Sequence, residues 1–210
     1  MIIKDKSKYY RQEGKSGRFY VRRVDESIRY PSVTTVISQS KEKKKFHGSP
    51  SATIGTITHY HILKRYSKNL LTLPAESIWN VPRSEIIGRI HRNIKMWNDL
   101  QLDIKPIAVE TALFCELPRV AGTLDLLAFI NGEYTLCDLK TGMQYPKKHI
   151  MQAACYWHML RRKPKVCFIY LDGILERNPE QKAIVRYFTR EELETGYEQF
   201  LDKYSEFVWE

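Results

Sequence analysis

Three apolar, strand-like runs follow one another near the middle of the chain, with almost nothing between them. They cover residues 107–117, 120–130 and 133–140. The second and third runs are separated by a short connection that contains Asn131-Gly132, a dipeptide typical of tight hairpin turns. Connections this short can join only antiparallel neighbours, so the sequence predicts a three-stranded meander at the centre of the fold.

The rest of the chain alternates between helical and strand-like patterns. Amphipathic spacing is clear over residues 83–102, where Ile86, Ile90, Ile94 and Trp97 share one helix face. The other predicted elements are, in chain order, a strand over 19–24, a short helix capped by Ser32, a helix over 51–68 capped by Ser51, a helix over 147–162, strands over 165–173 and 182–188, and a closing helix whose Thr189 and Glu192 fit a capping box. This order predicts an α/β fold with a central mixed β-sheet flanked by helices.

The formal charge of +10 is distributed unevenly along the chain. Residues 1–50 hold 13 Lys and Arg against 5 Asp and Glu, whereas residues 176–210 hold 5 against 9. A merely lysine-rich soluble surface can also give a basic protein. The segregation of charge nevertheless favours a polyanionic partner, with nucleic acid as the first candidate.

Two further features of the sequence limit the cellular compartment and the metal cofactors that we expect. No apolar run approaches the roughly 18–20 residues that span a bilayer, and the N-terminus lacks the apolar region of a secretory signal. We therefore expect an intracellular protein, in a cytoplasm or a host cytoplasm, that is neither secreted nor inserted in a membrane. The four cysteines form no C-x-x-C pair, so neither a zinc ribbon nor an iron–sulfur cluster is expected.

Charged residues inside the meander need an explanation, because charges are rarely buried without partners. Asp125 lies in the second strand, and Asp138 and Lys140 share one face near the end of the third. Reflection about the Asn131-Gly132 turn pairs positions 125 and 138. Adjacent carboxylates repel unless one is protonated or a cation lies between them, and oxygen ligands favour Mg²⁺, Mn²⁺ or Ca²⁺. The simpler alternative is an exposed Asp–Lys ion pair, since D-x-K alone is common.

The stretch GTLD…DLK, followed by QAACY, resembles the PD-(D/E)XK nuclease superfamily, and specifically its RecB-like exonuclease branch. In that branch the helix after the lysine carries Q-x-x-x-Y, which Gln152 and Tyr156 match. An earlier helix carries Gly-x-x-x-His, which Gly55 and His59 match, and Glu110 corresponds to the usual glutamate of the first meander strand. Each motif is weak alone, but the set in this order is specific.

The resemblance covers roughly residues 31–160 and implies a restriction-endonuclease-like core. It implies a single nuclease domain over residues 1–210, with a basic N-terminal segment over 1–50, a catalytic core over 51–188 and a C-terminal helix over 189–210. The implied ligands of Mg²⁺ or Mn²⁺ are Asp125, Asp138, His59 and the Leu139 carbonyl. Lys140 matches the catalytic lysine, Glu110 would be a further acid at the site, and Gln152 and Tyr156 would hold substrate or Lys140. The expected contacts to the phosphate backbone are Lys43, Lys44 and Lys45.

The function implied by the resemblance is that of a divalent-metal-dependent DNA nuclease. We expect an exonuclease that prefers single-stranded DNA and serves replication, recombination or repair. Three alternatives stay open. One is a structure-specific endonuclease that acts as a homodimer on branched DNA such as Holliday junctions. The others are an RNA-processing nuclease and a nucleic-acid-binding module without catalysis.

Overall fold

The computed structural model describes residues 9–14, 17–38, 50–67, 83–142, 146–171 and 182–208. Its elements are, in chain order, β1 (Tyr9–Gly14), β2 (Gly17–Arg22), β3 (Asp25–Pro31), α1 (Val33–Ser38), α2 (Pro50–Leu63), α3 (Arg83–Asp99), β4 (Ile104–Glu116), β5 (Arg119–Ile130), β6 (Glu133–Lys140), α4 (Pro146–Met159), β7 (Lys165–Tyr170), β8 (Ile184–Phe188) and α5 (Arg190–Ser205). The strands of the predicted central sheet and the helices that flank it are therefore present.

The larger sheet has five strands in the order β4-β5-β6-β7-β8. The predicted meander is confirmed, since β4 pairs antiparallel with β5 and β5 antiparallel with β6. At its second turn, Asn131 and Gly132 have φ angles of 50° and 82°, the left-handed conformations that a tight hairpin needs. Because α4 crosses over between β6 and β7, that pair is parallel, which makes the sheet mixed.

Helices cover both faces of this sheet, so the predicted α/β architecture is confirmed. On one face, α1, α4 and α5 pack over Leu136 and Phe168, with Phe200 of α5 fully buried among them. On the other face, α2 and α3 pack over Leu126 and Ile169. Asp125 of β5 and Asp138 of β6 therefore lie buried within a layered core.

A second, three-stranded antiparallel sheet in the order β1-β2-β3 was not fully predicted. The sequence indicated only one strand there, over residues 19–24, whereas the structure has β2 at Gly17–Arg22 and a turn at residues 23–24. The flanking strands escape prediction because most of their side chains are polar and exposed, which removes the apolar alternation of a half-buried strand. Their burial depends on Tyr9 and Tyr30, whose ring centroids lie 4.2 and 5.3 Å from that of Phe114.

Several element boundaries differ from the predicted ones, while both helix caps outside α2 are confirmed. The Thr35 backbone N–H donates to Ser32 Oγ at 3.0 Å, and Thr189 and Glu192 form the reciprocal capping box of α5. Among the helices, α2 begins at Pro50 and so contains Ser51, and α2, α3 and α4 end at Leu63, Asp99 and Met159. Among the strands, β4 begins at Ile104 and β8 at Ile184. Strand β7 ends at Tyr170, where its pairing with Lys140 ends.

Within the described residues, the structure contains no helix that is both long enough and apolar enough to cross a bilayer.

Candidate active site

Asp125 and Asp138 face each other across the β5–β6 hairpin. The ladder of paired residues runs from the turn to Leu126 and Cys137, and the two aspartates occupy the next position beyond it, as the turn-based register predicts. Both side chains are buried. The strands no longer pair as a regular ladder here, and Asp125 Oδ2 instead accepts the backbone N–H of Leu139 at 2.8 Å. Strand geometry thus brings two carboxylates together at the end of the ladder.

Lys140 and Gln152 complete a closed polar network around Asp138. Lys140 Nζ lies 2.6 Å from Asp138 Oδ2 and donates to Gln152 Oε1 at 2.9 Å. Gln152 Nε2 in turn donates to Asp138 Oδ1 at 3.2 Å. Because Gln152 is held on α4 and the other two residues on β6, the helix fixes the position of the lysine ammonium relative to the sheet.

The two aspartates have opposite pKa shifts. Burial, opposed by Lys140 and reinforced by the charge of Asp125, raises the pKa of Asp138 to about 6. Burial acts in the same direction on Asp125, but the neighbouring His59, Lys140 and the Leu139 N–H outweigh it and hold the pKa of that carboxyl below its usual value. Near neutral pH, Asp125 is therefore the more firmly ionised member of the pair.

His59, Glu110 and Asp125 form a compact group from three different elements. Their candidate ligand atoms all lie within 4.8 Å of one another, and His59 Nδ1 is 3.5 Å from Asp125 Oδ2. Burial disfavours a charge on His59, but the charges of Asp125, Asp138 and Glu110 prevail and raise the pKa of His59 to about 9. The carboxylates at this point thus attract a positive charge.

Glu110 has an unusual backbone. Its φ of 44° lies in the left-handed region, although the residue stands inside a strand. The pairs Val109 with Leu126 and Thr111 with Leu124 flank it, so Glu110 occupies the register position opposite Asp125. A left-handed conformation costs a non-glycine residue about 1–2 kcal/mol, and such conformations occur often at functional sites. At this left-handed position the Glu110 carboxylate lies beside Asp125 and His59.

The residues present fit a divalent cation. One imidazole nitrogen with several carboxylate oxygens is a donor set suited to Mn²⁺ and Mg²⁺. Within the described part of the chain, buried Asp138 Oδ2 has the Lys140 ammonium as its ion-pair partner and no further hydrogen-bond partner. His59, Glu110 and Asp125 could together hold such an ion, and Asp138 is the further carboxylate ligand that the resemblance implies. Leu139, whose carbonyl is the remaining expected ligand, borders the same cavity.

Two glycines bring the elements of the site close together. A Cβ atom on Gly55 would lie 2.9 Å from Thr141 Oγ1, so glycine lets α2 approach the end of β6 one helical turn before His59. A Cβ atom on Gly122 would lie 2.4 Å from the ring of Tyr156. Sequence reasoning missed Gly122, although it begins the GTLD stretch. Tyr156 is buried against β5 at this point, and burial raises its pKa well above the ordinary value.

These groups open into one cavity of about 910 Å³. Its walls come from the site residues and from the small sheet, which sequence reasoning did not connect with the site. Among the lining residues that it missed are Tyr9, Arg11, Arg18, Tyr20, Tyr60, Phe114 and His149. The only available signal was the excess of basic residues in the first fifty positions. Lys43, Lys44 and Lys45, which were expected to contact phosphates, lie outside the described residues.

No protein-family model and no curated protein matches the chain. The interpretation of the site therefore depends on its geometry and chemistry.

Proposed function

We propose that this protein is a divalent-metal-dependent DNA nuclease with a restriction-endonuclease-like core, similar to the RecB-like branch of the PD-(D/E)XK superfamily. The observation that supports this most strongly is the position of Lys140. Its ammonium lies between Asp138 and Gln152 in the cavity that also holds His59 and Asp125. A fixed cation beside a group of ligand-type side chains suits the hydrolysis of a phosphodiester, whose transition state carries excess negative charge.

A bound Mg²⁺ or Mn²⁺ would supply electrostatic stabilisation of the reacting phosphate and a more acidic water. The side chains that would hold it are His59, Glu110, Asp125 and Asp138. At neutral pH, His59 binds a proton when no cation is present, since its pKa is raised to about 9. Cation and proton therefore compete for this imidazole, and His59 favours Mn²⁺ because imidazole is a softer ligand than carboxylate.

Lys140 acts on the substrate directly. An ammonium has three N–H donors, and two of them are directed to Asp138 and Gln152. The third can reach an oxygen of the scissile phosphate or of the attacking water. Gln152 acts on the substrate only through Lys140, because it holds the ammonium in place through its amide oxygen. This arrangement positions a charge before the substrate arrives, which is the form of electrostatic catalysis that costs least at the moment of reaction.

DNA as the substrate is supported by the basic N-terminal part of the chain and by the cavity. The cavity of about 910 Å³ is of the size that holds ligand-sized groups. The resemblance to the RecB-like branch favours a single-stranded substrate and an exonuclease of replication, recombination or repair. A dimeric endonuclease on branched DNA, an RNA nuclease and a binding module without catalysis are outcomes that the experiment distinguishes.

The test is cleavage of a 5′-labelled linear single-stranded DNA beside a circular one and a matched RNA, with Mg²⁺, Mn²⁺ or EDTA. Wild type is compared with Asp125→Asn, Asp138→Asn and Lys140→Ala. The control is Lys95→Ala, which removes an exposed lysine paired with Asp99 on α3. We expect metal-dependent loss of the linear DNA in wild type and in the control only. Cleavage of the circle reveals an endonuclease, and binding without cleavage under every metal overturns the catalytic proposal.

A further inference from the structure

The small sheet turns a basic face toward the cavity. Arg11 of β1 and Tyr20 of β2 lie opposite each other in the register, as do Glu13 and Arg18. Directly opposed residues of an antiparallel pair point to the same face of the sheet, so Arg11, Arg18 and Tyr20 share one face. All three also line the 910 Å³ cavity. Two guanidinium groups therefore border the space into which the candidate active site opens.

Tyr20 connects this face to the active site. Its hydroxyl forms a hydrogen bond of 2.7 Å with Thr123 Oγ1, two residues before Asp125 on β5. The hydroxyl lies within the electrostatic influence of Arg18 and Arg11 and also of Glu110. The basic face and the carboxylates of the site therefore both lie near the Tyr20 hydroxyl. A ligand in the cavity can contact both groups, since residues of both line it.

The two arginines differ in their partners. Arg18 Nε donates to Glu13 Oε1 at 3.0 Å. Arg11 is exposed, and in the described part of the chain its guanidinium forms no hydrogen bond or ion pair. A guanidinium is a fork of donors that matches a phosphate in a bidentate manner. Arg11 is thus a cation that faces the cavity and has its donors available for an anion.

An aromatic side chain of α2 also lines the cavity. Tyr60 follows His59 on α2 and is half-buried, with Lys64 Nζ 5.1 Å from its ring centroid. Proteins that bind single-stranded nucleic acid without sequence preference combine a basic groove along the backbone with aromatic rings on which bases stack. The cavity has both components, one on the small sheet and the other on α2.

We propose that the face of the small sheet with Arg11 and Arg18 binds phosphates of a single strand next to the scissile one, while Tyr60 stacks on a base. This inference rests on the proposed function, since it assigns the strand a path to the same site. Arg11 and Arg18 bind the phosphate backbone of the strand, and the phosphodiester bond to be cleaved lies beside the carboxylates of the active site. The small sheet is then a strand-binding element and not only a cover for β4 and β5.

The test measures binding of a fluorescent oligothymidylate by anisotropy at several salt concentrations, in the Lys140→Ala background and with EDTA. The variants are Arg11→Ala and Tyr60→Leu. The control is Arg29→Ala, which removes another exposed arginine of the small sheet, one that does not line the cavity. A duplex of the same length serves as a competitor. Thermal unfolding of each variant establishes that it is folded.

We expect Arg11→Ala to weaken binding about tenfold and to lower the slope of log K against log salt by about 0.7, the value for one lost phosphate contact on a single strand. Tyr60→Leu should weaken binding about fivefold with an unchanged slope, since stacking involves no counterion. Arg29→Ala should change neither quantity beyond a minor long-range effect.

Equal effects of Arg11→Ala and Arg29→Ala overturn the inference, and so does tighter binding of the duplex. In either case, metal-dependent cleavage by wild type leaves the proposed function intact. If Arg11→Ala selectively loses affinity and slope while wild type cleaves nothing, the strand-binding face stands and the nuclease proposal fails.

Discussion

Gln152 on α4 joins Lys140 and Asp138 of β6 through both ends of its amide: Oε1 accepts from the Lys140 ammonium at 2.9 Å and Nε2 donates to Asp138 Oδ1 at 3.2 Å. A carboxyl or an ammonium buried without such partners is costly. The amide therefore does two things at once. It compensates the buried charges, and it fixes the ammonium that the proposed chemistry needs.

Replacing Gln152 by methionine should lower catalysis more than substrate binding. Methionine has a similar size but offers neither hydrogen bond, so Lys140 loses the partner that positions it. We expect kcat to fall about 10- to 100-fold with KM changed less than threefold, as for the loss of an interaction that acts mainly in the transition state. Steady-state kinetics on linear single-stranded DNA would measure this. A KM effect with unchanged kcat would assign Gln152 to substrate binding instead.

The left-handed backbone of Glu110 predicts a reversal in the ranking of two substitutions. Glu110→Ala and Glu110→Gly both remove the carboxylate, but only glycine adopts a φ of 44° without strain. At an ordinary strand position alanine is the more stable. At this position we expect the glycine variant to have the larger free energy of unfolding, by about 1 kcal/mol. Urea unfolding decides the ranking, and a more stable alanine variant would show that the conformation stores no strain.

The close approach of Gly122 to Tyr156 predicts that Gly122→Ala destabilises the fold by about 1–3 kcal/mol, because the new methyl group overlaps the ring. The matched control is Gly88→Ala on α3, where a Cβ atom meets nothing within 4 Å. That change should raise stability by up to about 1 kcal/mol, as expected for an exposed helical position.

A double-mutant cycle tests the contact itself. Combining Gly122→Ala with Tyr156→Leu should cost less than the sum of the single changes, because the shorter side chain makes room for the methyl group. Strict additivity of the unfolding free energies would contradict the packing explanation.

His149 predicts a pH dependence of stability. Its ring is buried against Tyr170, whose hydroxyl lies 2.9 Å from His149 Nδ1. Burial, with the charges of Lys140, Arg186 and Lys148, lowers the pKa of His149 to about 4 from its ordinary 6.5. Between these two pH values the unfolded chain binds the proton and the folded protein does not. Stability should therefore decline as the pH falls from about 6.5 to about 4.

Unfolding by urea at a series of pH values, with EDTA present, measures this decline. His149→Gln keeps a polar group beside Tyr170 but does not titrate, so its stability should decline less steeply across the same window than that of wild type. Identical slopes for the two proteins would show that other groups cause the pH dependence.

The sequence was most informative where a local turn determines which residues of two strands lie opposite each other. The turn at Asn131 and Gly132 determines the register, and the register brings Asp125 and Asp138 together without any knowledge of the rest of the fold. The helix with Gln152 could be placed by periodicity. Its distance from Lys140 could be expected only through the family resemblance, because no local rule determines how α4 packs on the sheet.

The remainder depends on contacts that the sequence pattern does not reveal. The small sheet is held by tyrosines that pack on Phe114 of a distant strand, so β1 and β3 show no apolar alternation of their own. The left-handed conformation of Glu110 and the contact between Gly122 and Tyr156 arise only after β4, β5 and α4 have assembled. Tertiary packing decides such features, and local propensity does not predict them.

The most direct test of the central claim separates metal binding from cleavage in the same protein samples. Mn²⁺ binding is measured by electron paramagnetic resonance, and cleavage of single-stranded DNA under single-turnover conditions is measured beside it. We predict that Asp125→Asn loses both, that Lys140→Ala keeps Mn²⁺ binding but cleaves at least about 100-fold more slowly, and that EDTA abolishes cleavage by wild type. Cleavage that persists in EDTA, or a Lys140→Ala variant that cleaves at the wild-type rate, would contradict the account.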